Sequence, residues 1–189
     1  GTLFPRYARD RLLEALDDSP VTLIHGPRQC GKTTLARMVG EPRGYTYLSF
    51  DEEVVRGAAA EDPAGFVAEL PERVILDEVQ RVPILLSALQ NAIDREPMPG
   101  RFVLSGSHSF ELGAAIAQSL AGRTTVLDLL PMTCGELRQF GDAPRELLPT
   151  MLAGGFPRIF DWHLPPAEFH ADYVRTYLER DVRSALRVK

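Results

Sequence analysis

Short apolar runs alternate along this chain with segments whose apolar positions recur every three or four residues. Continuous apolar runs are typical of strands buried on both faces of a parallel sheet, and the three-to-four spacing is typical of the helices that cover it. The runs that predict strands are Val21–His25, Tyr45–Phe50, Val74–Asp77, Arg101–Ser105 and Val126–Leu130. The pattern therefore predicts an α/β domain with helices on both faces of its sheet.

The helical segments predicted between these strands are Arg11–Leu16, Thr33–Val39 and Phe66–Leu70. The clearest amphipathic helix carries its apolar positions at Ile84, Leu85, Ala88, Leu89, Ala92 and Ile93. Pro97 and Gly100 follow that pattern and predict where the helix ends.

The composition changes after Leu130, where prolines and glycines separate short helical pieces and no further strand is predicted. We therefore expect a core domain over residues 1–131 and, over residues 132–189, a helical lid with the start of a truncated C-terminal domain. The last segment has an apolar stripe, typical of a packing helix, at Phe169, Tyr173, Tyr177, Leu178, Val182 and Leu186. Because the chain begins with Gly1 and ends within this helical pattern, we expect a longer natural protein.

Charge, the length of the apolar runs and the cysteine content bear on the partners and the compartment of the protein. A net charge of −5 argues against a protein that wraps nucleic acid or lies on an anionic membrane. No apolar run approaches the roughly 18–20 residues of a spanning helix. The two cysteines, Cys30 and Cys134, form neither a disulfide framework nor a metal-binding pair, which favours a reducing, cytoplasmic compartment.

A Gly-rich loop follows the first predicted strand and precedes a predicted helix, the context that a phosphate-binding loop requires. Its residues are Gly26, Pro27, Arg28, Gln29, Cys30, Gly31, Lys32, Thr33 and Thr34. In such a loop the glycines let successive N–H groups face a phosphate, and the helix offers its positive end to the same anion. We expect Lys32 to reach the β- and γ-phosphates of ATP, Thr33 to bind Mg²⁺, and Thr34 to line the α-phosphate or cap the helix.

Two carboxylates end the buried strand Val74–Asp77 and identify the second half of the site. We expect Asp77 to hold Mg²⁺ through its waters and Glu78 to orient or deprotonate the attacking water. A phosphotransferase that acts on a small molecule would have no use for a water-activating glutamate there, so the pair favours ATP hydrolysis.

Three further residues are candidates for the same chemistry. Ser105 or Ser107, at the end of the fourth predicted strand, is placed to sense the γ-phosphate or hold the water, although either position also suits a plain turn. Arg123 follows a helix end and precedes the last strand. It could stabilise the transferred phosphoryl group of its own chain or of a neighbour's, or simply complement the helix dipole.

These motifs resemble the AAA-type ATPases of the AAA_14 group, which are commonly followed by a DUF4143 domain. The resemblance rests on five segments in family order, namely Gly26–Leu35, Leu76–Pro83, Leu104–Ser107, Leu120–Arg123 and Tyr177–Val182. It implies a P-loop sheet of order 5-1-4-3-2, with the loop on the first strand, Asp77 and Glu78 on the third and Ser105 on the fourth. It also implies a second domain that begins near Tyr173.

The sequence thus predicts a Mg²⁺-dependent ATPase that converts hydrolysis into a conformational change. The alternative is a slow ATP-gated switch that signals through the absent C-terminal domain. A protein or nucleic acid partner would bind through that absent part. A homo-oligomer is possible, because Arg123 could then act at the site of a neighbouring chain. No membrane partner is expected.

Overall fold

The chain forms a five-stranded parallel sheet in a computed structural model that describes residues 4–107, 110–139 and 144–178. The strands are β1 (Val21–Gly26), β2 (Thr46–Ser49), β3 (Val74–Asp77), β4 (Phe102–Ser107) and β5 (Thr124–Asp128). Their order across the sheet is β2-β3-β4-β1-β5, which confirms the predicted order. All carboxyl ends share one edge, where the loop after β1 and the acids Asp77 and Glu78 at the end of β3 also lie.

The strand bounds follow from register as well as from the apolar runs. β3 and β4 are buried at every position, as expected for central strands. β5 begins at Thr124, two residues before the predicted start, because Thr124 pairs with Val21 at the amino end of β1. Hydrogen bonding to β1 therefore extends β5 over two polar residues that the apolar pattern leaves out.

Ten α-helices accompany the strands within the described residues. They are α1 (Ala8–Asp18), α2 (Lys32–Gly40), α3 (Glu53–Glu61), α4 (Pro63–Ala68), α5 (Leu85–Arg95), α6 (Phe110–Ser119), α7 (Cys134–Leu137), α8 (Leu147–Ala153), α9 (Pro157–Asp161) and α10 (Pro166–Tyr173). The apolar pattern does not predict α3, because Ala59 is the one position of that helix that is fully buried. A helix with so narrow a contact leaves little periodicity in its sequence.

The main core lies between the sheet and its helices. α5 contributes Leu85, Leu86, Leu89 and Ile93, all at most 2 % exposed. They belong to one cluster with Phe50, with Val74 and Leu76 of β3, and with Phe102 and Leu104 of β4. The helix whose pattern was clearest in the sequence thus shares its core with the strand that ends in Asp77.

The chain divides into two compact units. The first contains the sheet and comprises residues 6–27 and 31–129. The second comprises residues 1–5, 28–30 and 130–189, and its small core contains Met132 and Leu137. The predicted C-terminal helix is α10, which continues as a π-helical turn over Val174–Leu178. Val182 and Leu186 of the predicted stripe lie outside the described residues.

The described ranges contain no helix with the length and apolarity needed to cross a bilayer.

Candidate functional site

The Gly-rich loop connects the end of β1 directly to the first turn of α2. Gly31, the residue before α2, has a φ of 97°, a left-handed conformation that glycine adopts without the steric cost of a Cβ. No side chain of the described residues caps this helix, and its first turn carries no acid. The first N–H groups of α2 and the positive end of its dipole are therefore suited to an anion.

Lys32 is held within this loop, with only 6 % of its surface exposed. Its Nζ donates hydrogen bonds to the carbonyl oxygens of Gly26, at 3.0 Å, and Pro27, at 2.8 Å. These contacts keep the ammonium group at the loop, which suits it to phosphate oxygens. Thr34, predicted to line the α-phosphate or cap the helix, is exposed on α2.

The tip of the loop has a different environment from its two ends. Arg28, Gln29 and Cys30 belong to the second compact unit, whereas Gly26, Pro27 and Gly31–Thr34 belong to the sheet unit. Gln29 has a φ of 62°, which is uncommon for a residue with a Cβ. Cys30 is fully buried.

Asp77 joins the strand end to the loop. Its Oδ2 accepts a hydrogen bond from Thr33 Oγ1 at 2.7 Å, and its Oδ1 accepts one from the backbone N–H of Glu78 at 3.1 Å. The side chains of Thr33 and Asp77, predicted as the metal-binding pair, are therefore adjacent. Mg²⁺ prefers hard oxygen ligands and is usually held by one or two protein groups together with water and phosphate, so this donor set fits Mg²⁺.

Tyr47 is a member of the site that sequence reasoning missed. Its hydroxyl donates to Asp77 Oδ2 at 2.9 Å, from β2 on the neighbouring strand. Burial, followed by the negative charge of Asp77 and this hydrogen bond, raises the pKa of Tyr47 to about 12. The tyrosine is therefore a hydrogen-bond donor to Asp77 throughout the neutral range. An aromatic residue in a strand is too ordinary to signal this contact in the sequence.

Glu78 adopts a left-handed conformation with a φ of 58°. Such a conformation is costly for a residue with a Cβ, and residues that adopt it cluster at functional sites. The Glu78 carboxylate accepts a hydrogen bond from Gln80 Nε2, and Gln80 Oε1 is buried with no partner among the described residues. Gln80 was not predicted as a site residue, although it lies within one of the segments that carry the family resemblance.

The two candidate serines differ in their place along β4. Ser105 is fully buried within the strand and pairs in register with Asp77 and with Ile24. Ser107 ends the strand and pairs with Gly26, the first residue of the loop. Neither hydroxyl has a hydrogen-bond partner in the described part of the chain. Ser107 is thus the nearer of the two in register to the loop.

Arg123 lies at the amino end of β5, where its carbonyl accepts from the N–H of Val21. β1 runs from Val21 to Gly26, which separates the sheet edge at Arg123 from the loop by about 16 Å. Arg123 also donates to both carboxylate oxygens of Asp94, at 2.6 and 3.0 Å. The structure therefore does not bring Arg123 to the loop of its own chain, and a role at a neighbouring chain stays a prediction.

Comparisons with known proteins identify the family and the fold of the chain. The family model AAA_14, described as an AAA domain, matches residues 18–138. Two mycobacterial proteins, both described as uncharacterized, Rv2008c of Mycobacterium tuberculosis and Mb2031c of Mycobacterium bovis, are 37 % identical over 180 residues. This match covers 94 % of the chain but only 39 % of either relative, so the chain spans well under half of their length.

A more distant relative is the Holliday junction branch migration complex subunit RuvB of Gluconobacter oxydans, 33 % identical over 69 % of this chain and 33 % of its own. Among solved structures, the Walker-type ATPase PABY2304 of Pyrococcus abyssi shares the fold, with a TM-score of 0.58 and 19 % identity. That similarity covers 97 % of this chain and 72 % of the archaeal one. The matched family model begins before β1 and ends after β5, so it covers the whole sheet. The chain therefore belongs to the AAA_14 family of AAA-type P-loop ATPase domains.

Proposed function

We propose that this domain binds Mg²⁺·ATP at the Gly-rich loop, hydrolyses it and couples hydrolysis to a conformational change. The observation that carries the proposal is the 2.7 Å hydrogen bond between Thr33 Oγ1 and Asp77 Oδ2. It places a loop hydroxyl and a strand-end carboxylate side by side, next to the start of α2. This is the arrangement that a metal–nucleotide complex needs from a P-loop protein.

In this proposal Thr33 and Asp77 hold the metal, Thr33 directly and Asp77 through water. Bound there, Mg²⁺ would neutralise phosphate charge and polarise the phosphoryl group. Thr33 can keep donating to Asp77 while its oxygen lone pair faces the metal. Lys32 would exchange its carbonyl partners, Gly26 and Pro27, for phosphate oxygens. The α2 N-terminus adds further N–H donors.

Glu78 is proposed to orient the attacking water and accept its proton. The residue directly follows Asp77, and its backbone N–H bonds to that carboxylate, which ties its position to the metal-binding group. A general base of this kind contributes about 10²–10⁴-fold in rate. Ser105 and Ser107 offer buried hydroxyls without partners to the same edge of the sheet, and Ser107 is the better placed to contact a bound phosphate or water.

The hydrogen bond from Gln80 to Glu78 favours a second candidate function. The Gln80 amide donates to Glu78 Oε2, so that oxygen would accept a proton from water readily only after the bond to Gln80 breaks. The domain would then hydrolyse ATP slowly and serve as an ATP-gated switch. A nucleic acid partner, suggested by the description of the RuvB relative, and a protein partner are both proposals for the longer protein. We also propose a cytoplasmic location and assembly into a homo-oligomer.

The proposal is tested by ATP titration calorimetry and phosphate-release kinetics with Mg²⁺ present. We expect Lys32→Ala to lose ATP binding because it removes the buried cation of the loop. Arg9→Ala is the matched control, since it removes a half-exposed cation from α1, outside the loop. Unchanged ATP affinity in Lys32→Ala would overturn the assignment. Binding without measurable turnover in the wild type would favour the switch.

A further inference from the structure

The tip of the Gly-rich loop is bound by two tyrosines from the C-terminal part of the chain. Gln29 Nε2 donates to the hydroxyl oxygen of Tyr177 at 3.0 Å, and the Tyr173 hydroxyl donates to the carbonyl oxygen of Arg28 at 3.2 Å. The guanidinium carbon of Arg28 also lies 5.3 Å from the centre of the Tyr177 ring, within the range of a cation–π contact. Two of the three tip residues therefore contact these tyrosines, Arg28 through both and Gln29 through Tyr177.

The two tyrosines are held in place by a row of aromatic rings. Tyr173 ends α10, and its ring centre lies 4.8 Å from that of Phe156 and 5.2 Å from that of Tyr177. Phe169, one turn earlier on α10, packs on Phe156 at 5.4 Å. Packed rings have few accessible rotamers, so the tyrosine hydroxyls reach Arg28 and Gln29 from fixed positions.

The contact at Arg28 orients the backbone of the loop. In a trans peptide the carbonyl of one residue and the N–H of the next point in opposite directions. Because Tyr173 binds the Arg28 carbonyl, the N–H of Gln29 is directed away from the tyrosine. A loop that binds phosphate through successive N–H groups depends on such directions being set before the ligand arrives.

The contact at Gln29 supports an unusual backbone conformation. A residue with a Cβ at a φ of 62° persists only when its surroundings hold it there. The amide of Gln29 has one hydrogen bond, to Tyr177, while its Oε1 is buried with no partner among the described residues. Loss of the Tyr177 hydroxyl would leave the amide with no side-chain support in this part of the molecule.

We propose that Tyr177, together with Tyr173, is a positioning residue for the Gly-rich loop, so that ATP affinity depends on the C-terminal segment that carries both tyrosines. The inference rests on the proposed function, because it assigns these residues to the same ATP site. It gives a role to Tyr177, the first residue of the Tyr177–Val182 segment. A conformational change at Tyr177 would act on the loop through its hydrogen bond with Gln29 and its ring contact with Arg28.

The test compares Tyr177→Phe, which keeps the ring and removes the hydroxyl, with Tyr45→Phe. Tyr45 is the matched control because its buried hydroxyl also hydrogen-bonds, to the carbonyl of Gly100, but outside the loop. We expect Tyr177→Phe to raise the Kd and KM for ATP about 3–10-fold, the range for one neutral hydrogen bond, with little change in kcat. Tyr45→Phe should leave both constants unchanged.

A double-mutant cycle with Gln29→Met separates positioning from packing. If Tyr177 acts through Gln29, adding Tyr177→Phe to Gln29→Met should raise the ATP Kd much less than Tyr177→Phe does alone. Full additivity, or an unchanged Kd in Tyr177→Phe with a lowered Tm, would reduce Tyr177 to a packing residue. Absence of ATP binding by the wild type would instead overturn the proposed function and, with it, the inference about ATP affinity.

A second readout needs no nucleotide. Cys30 is buried at the loop tip, whereas Cys134 is exposed, so in a Cys134→Ser background a thiol reagent reports on Cys30 alone. We expect Tyr177→Phe to speed Cys30 labelling several-fold, since opening of the tip becomes easier. Labelling at the wild-type rate, with unchanged ATP affinity, would overturn the positioning role.

Discussion

Thr33 Oγ1 donates a 2.7 Å hydrogen bond to Asp77 Oδ2 and so connects the first turn of α2 to the end of β3. The two residues are 44 positions apart in sequence. Tyr47 donates to the same oxygen at 2.9 Å, and the N–H of Glu78 donates to the other. Three donors thus orient the carboxylate of Asp77, so substitutions of Asp77 and of its donors test the site directly.

Asp77→Asn and Glu78→Gln should separate metal binding from catalysis. Asp77→Asn removes the charge proposed to hold Mg²⁺, so we expect Mg²⁺-dependent ATP affinity to fall at least 10-fold. Glu78→Gln keeps the shape of the side chain but removes the proton acceptor, so ATP should stay bound while turnover falls about 10²-fold or more. Calorimetry and phosphate release measure the two effects.

An exposed acid provides the control for these charge changes. Asp10→Asn alters a mostly exposed side chain on α1 and should change neither ATP affinity nor turnover. Wild-type turnover in Glu78→Gln would assign the water to another residue, with Ser107 the next candidate to test.

Tyr47→Phe should weaken the response to Mg²⁺ without abolishing activity. The ring and its contact with Arg37, whose guanidinium carbon lies 4.7 Å from the ring centre, are kept, and only the donor to Asp77 is lost. We expect the Mg²⁺ concentration at half-maximal activity to rise about 10-fold, the lower end of the range for one hydrogen bond to a charged group. A Mg²⁺ titration at saturating ATP measures this shift, and an unchanged midpoint would mean that Thr33 and Glu78 orient Asp77 unaided.

The raised pKa of Tyr47 predicts a loss of stability at alkaline pH. In the unfolded chain the phenol loses its proton near pH 10, but in the folded protein its pKa is about 12. Unfolding between these values releases a proton, so the stabilisation by Tyr47 is complete below pH 10 and is lost as the pH rises towards 12. Urea unfolding at pH 9 and pH 11 should show a steeper fall for the wild type than for Tyr47→Phe. Parallel falls would contradict the assigned cause.

Arg123 should act on a neighbouring chain if it has a catalytic role. Its ion pair with Asp94 is about one-third to one-half exposed, so the pair itself stabilises the fold by at most about 1 kcal/mol. We expect Arg123→Ala to lower turnover but not ATP affinity. Mixing Arg123→Ala with Lys32→Ala should then restore part of the activity, because each chain has what the other lacks.

Protein concentration provides the control for this mixing experiment. Turnover per chain should rise with concentration if subunits must associate. Wild-type turnover for Arg123→Ala, with no recovery on mixing, would leave Arg123 as a structural partner of Asp94.

Leu89→Ala should be among the most destabilising single changes in α5. Leu89 is fully buried in the main core, and large-to-small changes of this kind cost about 2–5 kcal/mol. Ile84→Ala is the matched control, since Ile84 precedes the same helix and is 62 % exposed, and its cost should be about 0.5 kcal/mol or less. Urea unfolding monitored by circular dichroism gives both values. Equal costs would contradict the packing of α5 described above.

The sequence by itself determined those features that are encoded in contiguous residues. The Gly-rich loop, the strand that ends in Asp77 and Glu78, and α5 each have a local signal in residue spacing, because loop geometry and helix periodicity are set by near neighbours. The strand order was implied by resemblance to the AAA_14 family, since apolar runs alone do not specify which strands pair. The sheet confirmed it.

Only the tertiary structure decided which distant side chains meet. Tyr47 reaches Asp77 across 30 positions because β2 pairs with β3, and Gln29 meets Tyr177 across 148 positions because the chain returns to the loop after α10. Register likewise placed Arg123 at the amino end of β5, away from its own loop. The contact of Tyr47 with Asp77 and the position of Arg123 depend on strand register, and a one-residue shift in register would turn these side chains to the other face of the sheet. The contact of Gln29 with Tyr177 depends on the path of the chain after α10.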